Sequence, residues 1–379
     1  VELTMRRWAA SGAMALTGDA GGPPLAPATA AAVVANGLLA DRAALAGLSR
    51  QGTTSCGGSA RLLPARDGWV AVSLPRADDL ASLPALFGEA MDDVGWDAVG
   101  ARVASHDADE LVDRAALLGL AVAGVGREVG PFASRRLSEG AGPGTTEGVF
   151  VLDLTALWAG PLCTHLLAAA GARVVKVESR SRPDGARLGN EAFYRLLNAG
   201  KESVAVDLDD DRDRALLREL SARADVVVTS SRARAVERLG LAVEEAKVWT
   251  AITAYGWDDN RIGFGDDVAA GAGLVAWNPA DGRPRFAADA IADPLCGLAA
   301  AKATIEAVRA GGRWFVDASL CGAVLQAGVS DSPAHAAERT GDGWVVDGEP
   351  VREPQARPPT GEARPLGADT ERVRAEVTA

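Results

Sequence analysis

A chain of 379 residues, 48% hydrophobic and 24% charged, is long enough for two or three domains with substantial cores. Its formal charge of −12 argues against a general binder of nucleic acid or of an anionic membrane, since both require phosphate neutralisation by Lys and Arg. The four cysteines form no CxxC pair and there are only three histidines, so no metal site is expected and a reducing cytoplasm is the expected compartment.

Near the start, Arg6 and Arg7 precede a weakly apolar run, Trp8 to Leu16. It is short, contains Gly and Ser and lacks an A-x-A site, so it is not read as a secretory signal. Nor does any apolar stretch approach the ~20 residues that span a bilayer. Residues 28–48 are Ala/Leu-rich and read as helix. DGWVAVSLP (67–75) alternates as a strand does, and helices are expected near 77–90 and 108–119. The Gly-rich GAGPGTTEG (140–148) reads as a linker.

Beyond it the pattern is clearer. VFVLDLT (149–155) is a buried-strand run, Pro161 marks a helix start and Gly171 its stop. Strands at 172–178, 203–208, 225–230 and 248–256 alternate with helices at 211–222 and 232–239, which predicts a parallel sheet. From 331 onward apolar content falls, and 351–365 reads as an extended surface segment. A weak repeat aligns residues 10–26 with 271–287, pairing Gly12 with Gly273, Ala15 with Ala276, Gly21 with Gly282 and Pro23 with Pro284. In that register Ala32 falls opposite Asp293, so only the second copy carries a carboxylate there.

A strand, a turn, a helix and a second strand ending in Glu178 invite a dinucleotide-binding reading, with the acid on a ribose. The turn TALWAGPLCT (155–164) has no G-x-G-x-x-G, so a nicotinamide or flavin is not expected. The basic residues near strand ends, Lys176, Arg180, Arg182, Arg187, Arg195, Lys201, Arg232, Arg234 and Arg238, still suggest an anionic ligand in an acidic protein.

VLDLTALWAGPLCTHLLAAAGARVVKVE (151–178) resembles the opening sheet segment of the class III (CaiB/BaiF-like) CoA-transferases, which include formyl-CoA and carnitine CoA-transferases. FYRLLNAGKESVAVDLDD (193–210), LLRELSARADVVV (216–228), ERLGL (237–241), RPRFAADAIADPLCGLAAAKATIEAV (283–308), GGRWFVDASL (311–320) and RPLGADTERVRAE (364–376) follow in the family's order. The resemblance implies an α/β fold: a Rossmann-like parallel sheet domain plus a smaller α+β domain. It divides the chain into residues 1–144, which resemble later portions of the family, a CoA-binding domain at 145–256, a small region at 257–330 and a tail at 331–379. The early placement of 67–88 and 118–125 suggests a rearranged or half-duplicated member.

The resemblance further implies that CoA moves between carboxylic acids through a mixed anhydride on Asp293, with acyl-CoA and an acid as substrates and no permanently bound cofactor. A homodimer is implied too. Leu157, Trp158 and Ala159 would sit by the nucleotide with Lys176 to Ser179 near it, Asp207 and Leu208 against the adenine, and Ser230 and Arg238 near the pantetheine or phosphates. Asn198, Gly200 and Lys201 match the family's NxGK block, Lys201 having the alternative of a surface loop lysine. Asp293, before Pro294, is also a candidate N-cap. GFGDDVAAG (263–271) has Asp266 and Asp267 where related racemases carry a His-Asp pair, which argues against two-base proton exchange. The family's glycine-rich covering loop has no counterpart. CoA-dependent enzymes of altered chemistry and a non-catalytic binding subunit remain open alternatives.

Overall fold

The computed structural model describes residues 2–26, 38–142, 144–328 and 335–378. The chain folds as two compact units that it enters more than once: 1–130, 260–295 and 320–356 form one, and 131–259, 296–319 and 357–379 the other. The expected boundary at 144/145 thus lies inside the second unit, which begins at Pro131.

The second unit is built on a seven-stranded sheet. In chain order its strands are β1 (Phe132–Ser138), β2 (Phe150–Leu154), β3 (Arg173–Ser179), β4 (Glu202–Val206), β5 (Val226–Thr229), β6 (Val248–Thr253) and β7 (Arg313–Ser319). Their spatial order is 1-7-6-5-2-3-4, and all neighbours run parallel except β1 against β7. The near-continuous Val/Leu runs of β2, β3 and β5 fit strands covered on both faces. In register, Leu152 stands beside Val175 and Val227, and all three are fully buried.

The helices between them start as their sequences dictate. Asp210 accepts hydrogen bonds from the Arg212 and Asp213 N–H groups at the head of Asp211–Arg223, and Asn190 accepts from Phe193 N–H at the head of Glu191–Asn198. The helix expected to open at Pro161 opens two residues earlier, at Ala159. Pro161 is tolerated there because first-turn N–H groups have no intrahelical partner.

The tail is not extended throughout. Thr370–Thr378 is a helix whose Val373 and Val377 enter the sheet's hydrophobic cluster. Just before and within it, the Asp369 carboxylate accepts Ser203 N–H at 2.9 Å and the Thr370 hydroxyl accepts Ala205 N–H at 3.0 Å. These bonds occupy the outer edge of β4, a strand edge that would otherwise be open to pairing with another chain.

The first unit carries an antiparallel three-stranded sheet, 60–65, 68–73 and 121–124. Leu63, Val70 and Val72 pack with Leu83, Leu86, Val99, Val103 and Leu111 from the helices that follow. The helix Trp96–Val103 has no counterpart among the sequence expectations. Ala71 and Leu62 contribute to a second cluster with Ala270, Val275 and Phe286.

Of the expected helix at 28–48, residues 28–37 lie outside the described residues, Ala32 among them, and Asp41–Ala46 is helical. The repeat has a backbone counterpart. Gly12 (φ 79°) and Gly273 (φ 91°) are both left-handed, as are Gly21 (φ 70°) and Gly282 (φ 67°), a conformation that L side chains resist. The copies also touch: Asp19 pairs with Arg285 at 2.6 Å, and just beyond the second copy Ala288 N–H donates to the Thr17 hydroxyl at 2.9 Å.

Candidate functional site

Asp293 lies in the first unit, one residue into the helix Ala292–Ala310, so it is not the N-cap. Its N–H donates to Ala290 O at 3.0 Å, and it is half-buried. A carboxylate in a first helical turn is favoured by the helix dipole. The turn leading in is strained: Ala288 (φ 55°) and Ala290 (φ 43°) both occupy the left-handed region without being glycine.

Two features pin that turn. Asp289, between the strained alanines and fully buried, accepts a bidentate pair of hydrogen bonds from Arg42, Nε to Oδ2 at 2.8 Å and Nη2 to Oδ1. Ala290 N–H donates to Asp266 Oδ1 at 2.8 Å from the helix Gly265–Gly271. Gly265 opens that helix beside the nucleophile candidate. A Cβ placed on Gly265 would stand 2.3 Å from Asp293 Oδ2 and 2.4 Å from Ala290 O. Gly265→Ala is therefore expected to displace the Asp293 carboxylate, and an ångström-scale misplacement costs up to about 100-fold in rate. Steady-state kinetics on the variant, with its melting temperature, check this.

Burial, with the negative charges of Asp289 and Asp293 and against the pull of Arg42, pushes Asp266 up to about 7. Burial does the same to Asp267, also to about 7, although its carboxylate accepts from the Ser73 hydroxyl at 2.7 Å and from Phe264 N–H at 3.1 Å. Both groups hold protons in the folded state that the unfolded chain has released. Their contribution to stability is thus present below their ordinary carboxylate values and is lost as pH rises to about 7. Asp267→Asn, which mimics the protonated acid, should gain stability relative to the parent between about pH 4 and 7, the gap then levelling off. Denaturant titrations at several pH values measure it, and comparison with the parent cancels the opposite trend from His165, which burial lowers to about 4.

In the second unit Leu157, Trp158, Ala159, Lys176 and Ser230, of the expected CoA-contact residues, lie in or against the loop after β2, and Asp207, Leu208 and Arg238 do not. Leu157 has φ 69°, a third strained non-glycine residue, and leaves 45% of its surface exposed. Its N–H donates to Asp184 Oδ1 at 3.0 Å, and Ala156 N–H donates to the Ser230 hydroxyl at 3.3 Å. Lys176 is buried, with Nζ donating to Thr155 O at 2.7 Å and 3.0 Å from Asp184 Oδ2. Trp158 is buried edge-on against Phe193, ring centroids 5.1 Å apart. Lys176 and Trp158 are therefore engaged within the protein: they set the shape of the loop and do not present a free ammonium or an open ring face. Ala159, also buried, opens the following helix.

Glu178, the residue a dinucleotide reading would place on a ribose, has both oxygens occupied. Oε1 accepts Asp184 N–H at 3.0 Å, while Oε2 accepts from Arg187 at 2.6 Å and from the Tyr194 hydroxyl at 3.0 Å. Burial alone would raise its pKa, but Arg187 and Lys176 hold it below its ordinary value. Asp207 and Leu208 follow β4. Asp207 is exposed, and its N–H donates to Asp213 Oδ2 at 2.7 Å. Leu208 is half-buried against the sheet's core, and Arg238 is exposed in the last turn of Ala233–Arg238.

Lys201 is not a surface lysine. It is buried, and its ammonium lies 3.0 Å from Asp153 Oδ2, 2.7 Å from Thr164 Oγ1, 2.9 Å from Asn198 Oδ1 and 3.0 Å from Pro161 O. Sequence reasoning also missed Asp289, Arg42 and Gly265. A carboxylate four residues before Asp293 was a visible signal for Asp289, whereas nothing in the sequence pointed to Arg42, 247 positions from its partner. Among the described residues no group of three or more His, Cys, Asp or Glu side chains could hold a metal ion, and no helix is long and apolar enough to cross a membrane.

Comparison with known proteins gives this geometry its setting. The family model for CoA-transferase family III matches residues 146–352, which include Asp266, Asp289 and Asp293. The chain is 32% identical over 212 residues to the acetyl-CoA:oxalate CoA-transferase of Acetobacter aceti, covering 54% of this chain and 50% of that protein. It is 34% identical over 217 residues to the succinyl-CoA:mesaconate CoA-transferase of Haloarcula hispanica, covering 54% and 51%. The chain thus spans about half the length of the curated relatives it matches. Among solved structures, a CaiB/BaiF family protein from Brucella suis aligns with a TM-score of 0.46 at 24% identity, covering 54% of this chain and 65% of that one. With the family match extending over more than half of its residues, the chain belongs to CoA-transferase family III.

Proposed function

We propose that the protein transfers CoA between carboxylic acids, with Asp293 as the nucleophile that carries the acyl group. The observation that carries this reading is the seat of the Asp293 carboxylate: in a first helical turn, after a strained and pinned turn, in space that only a glycine at 265 leaves open. A carboxylate is a weak nucleophile in water, and partial desolvation on a rigid backbone is what lets it attack a thioester.

The steps balance as follows. An Asp293 oxygen attacks the thioester carbonyl, the C–S bond breaks, and a mixed anhydride and the CoA thiolate form. The thiolate attacks the aspartyl carbonyl, releasing the first acid and leaving an aspartyl thioester. The acceptor carboxylate then attacks that carbonyl, giving a new anhydride and freeing the thiolate once more. Attack of the thiolate on the new acyl carbon yields the second acyl-CoA and restores Asp293. No proton is gained or lost overall. For the nucleotide end of CoA, the reading draws on the strained, exposed Leu157 backbone and the Ser230, Asp207, Leu208 and Arg238 positions, with Lys176 and Trp158 shaping the loop.

Incubation with a panel of acyl-CoAs followed by hydroxylamine, with mass-spectrometric mapping, tests the reading. A hydroxamate on Asp293 is the expected result and identifies the donor class. CoA binding with no label on any residue would overturn the anhydride mechanism in favour of altered chemistry or a binding subunit.

A further inference from the structure

Arg42 stands apart from the rest of the Asp293 surroundings because it lies outside the segment matched to the family, which begins at residue 146. It sits on the short helix Asp41–Ala46, yet its guanidinium fork closes on Asp289, which has no exposed side-chain surface. Asp289 is flanked by the two strained alanines, and Ala290 bonds both to Asp266, through its N–H, and to Asp293, through its carbonyl. The pair therefore holds the turn from which the nucleophile's helix departs.

The charges around the pair come from several elements. Asp289 belongs to the turn at 287–291, Asp266 and Asp267 to Gly265–Gly271, and Asp293 to Ala292–Ala310. Asp266, Asp289 and Asp293 all act electrostatically on Arg42. Asp41 is buried on Arg42's own helix, and Cys56 donates its thiol to Ala288 O at 3.3 Å. Burial and the surrounding carboxylates push that thiol far above its ordinary value, so it brings no charge. One guanidinium thus pairs with Asp289 and lies in the field of two further carboxylates, and with Asp289 and Asp266 buried a single counter-charge has a large effect there.

We propose that Arg42 is a positioning residue for Asp293: by pairing with Asp289 it locks the strained turn and supplies the positive charge that keeps the nucleophile ionised at neutral pH. The inference rests on Asp293 being the nucleophile. Arg42 touches no reacting atom in it and acts through Asp289 and through its field.

The test uses ¹³Cγ-aspartate NMR titration together with the pH profile of hydroxamate formation. Removing an adjacent opposite charge disfavours the ionised form, so Arg42→Gln should raise the Asp293 midpoint, and the acid limb of the profile with it, by about one pH unit or more. Arg42→Lys, which keeps the charge and loses the fork, should leave the limb in place. Arg42→Gln with Asp289→Asn should bring the limb back toward the parent. A folded Arg42→Gln with an unmoved midpoint overturns the proposal. If Arg42→Gln does not fold, Asp289→Asn decides: one carboxylate fewer should lower the midpoint, and no change overturns the proposal. Absence of any hydroxamate from the parent protein would remove the transferase reading instead, and the NMR titration would still decide whether Arg42 governs the ionisation of Asp293.

Discussion

Asp293→Asn is expected to lower CoA transfer by at least about a thousandfold, the scale seen when a covalent nucleophile is removed, while leaving the fold in place. An amide is close to the carboxylate in size, so the space beside Gly265 still accommodates it. Its oxygen lacks the charge needed to expel a thiolate from a thioester, so neither anhydride nor hydroxamate should form. CoA binding should survive, because the loop carrying Leu157 is held by hydrogen bonds to Ser230 and Asp184 within the second unit. The separation of effects is the informative part. Loss of rate with retained CoA binding and an unchanged melting temperature assigns chemistry to Asp293, whereas a parallel loss of stability would make it a helix-start residue and no more. A variant retaining more than a tenth of the parent rate would remove it as the nucleophile.

The elements most readable from the sequence were those whose signal is local. The β-branched runs around Val151, Val174, Val204 and Val227 announce buried parallel strands, and each lies within a strand of the seven-stranded sheet. The tail misled for a local reason as well. Residues 351–365 carry few apolar side chains, and the Arg- and Glu-rich 370–378 offers only Val373 and Val377 to the core, although its polar groups close the edge of β4. Asp293 itself was put forward by resemblance, and its neighbourhood could not be. The Arg42–Asp289 pair joins positions 247 apart, and the crowding of Gly265 against Asp293 depends on how two helices approach one another. Such contacts are fixed by tertiary packing and leave no periodic trace. Lys201 shows the same limit: the NxGK match marked it, but nothing local told a buried ammonium from a surface loop lysine.

That lysine carries the largest stability effect expected here. Lys201→Met should destabilise the second unit by about 3–5 kcal/mol, the cost of leaving a buried charge without its partner. Asp153, at the end of β2, has no exposed surface. Burial alone would push its pKa up, yet the ammonium groups of Lys201 and Lys176 and the Thr155 and Thr164 hydroxyls bring it down to about 2. Burial in turn lowers Lys201 to about 8, with Asp153 opposing the shift. Without the ammonium, Asp153 must take up a proton or stay charged against fewer donors, and Pro161 O and Asn198 Oδ1 each lose one as well. For a unit of this size the change corresponds to a fall in melting temperature on the order of 10 °C. The Lys201→Met/Asp153→Asn double variant should recover part of the loss, since it removes the unpaired charge along with the cation. Calorimetry on the parent, the single and the double variant measures both effects. A single variant as stable as the parent would mean that Lys176 alone suffices for Asp153, and would reduce Lys201 from a strut beneath the 155–158 loop to a replaceable core residue.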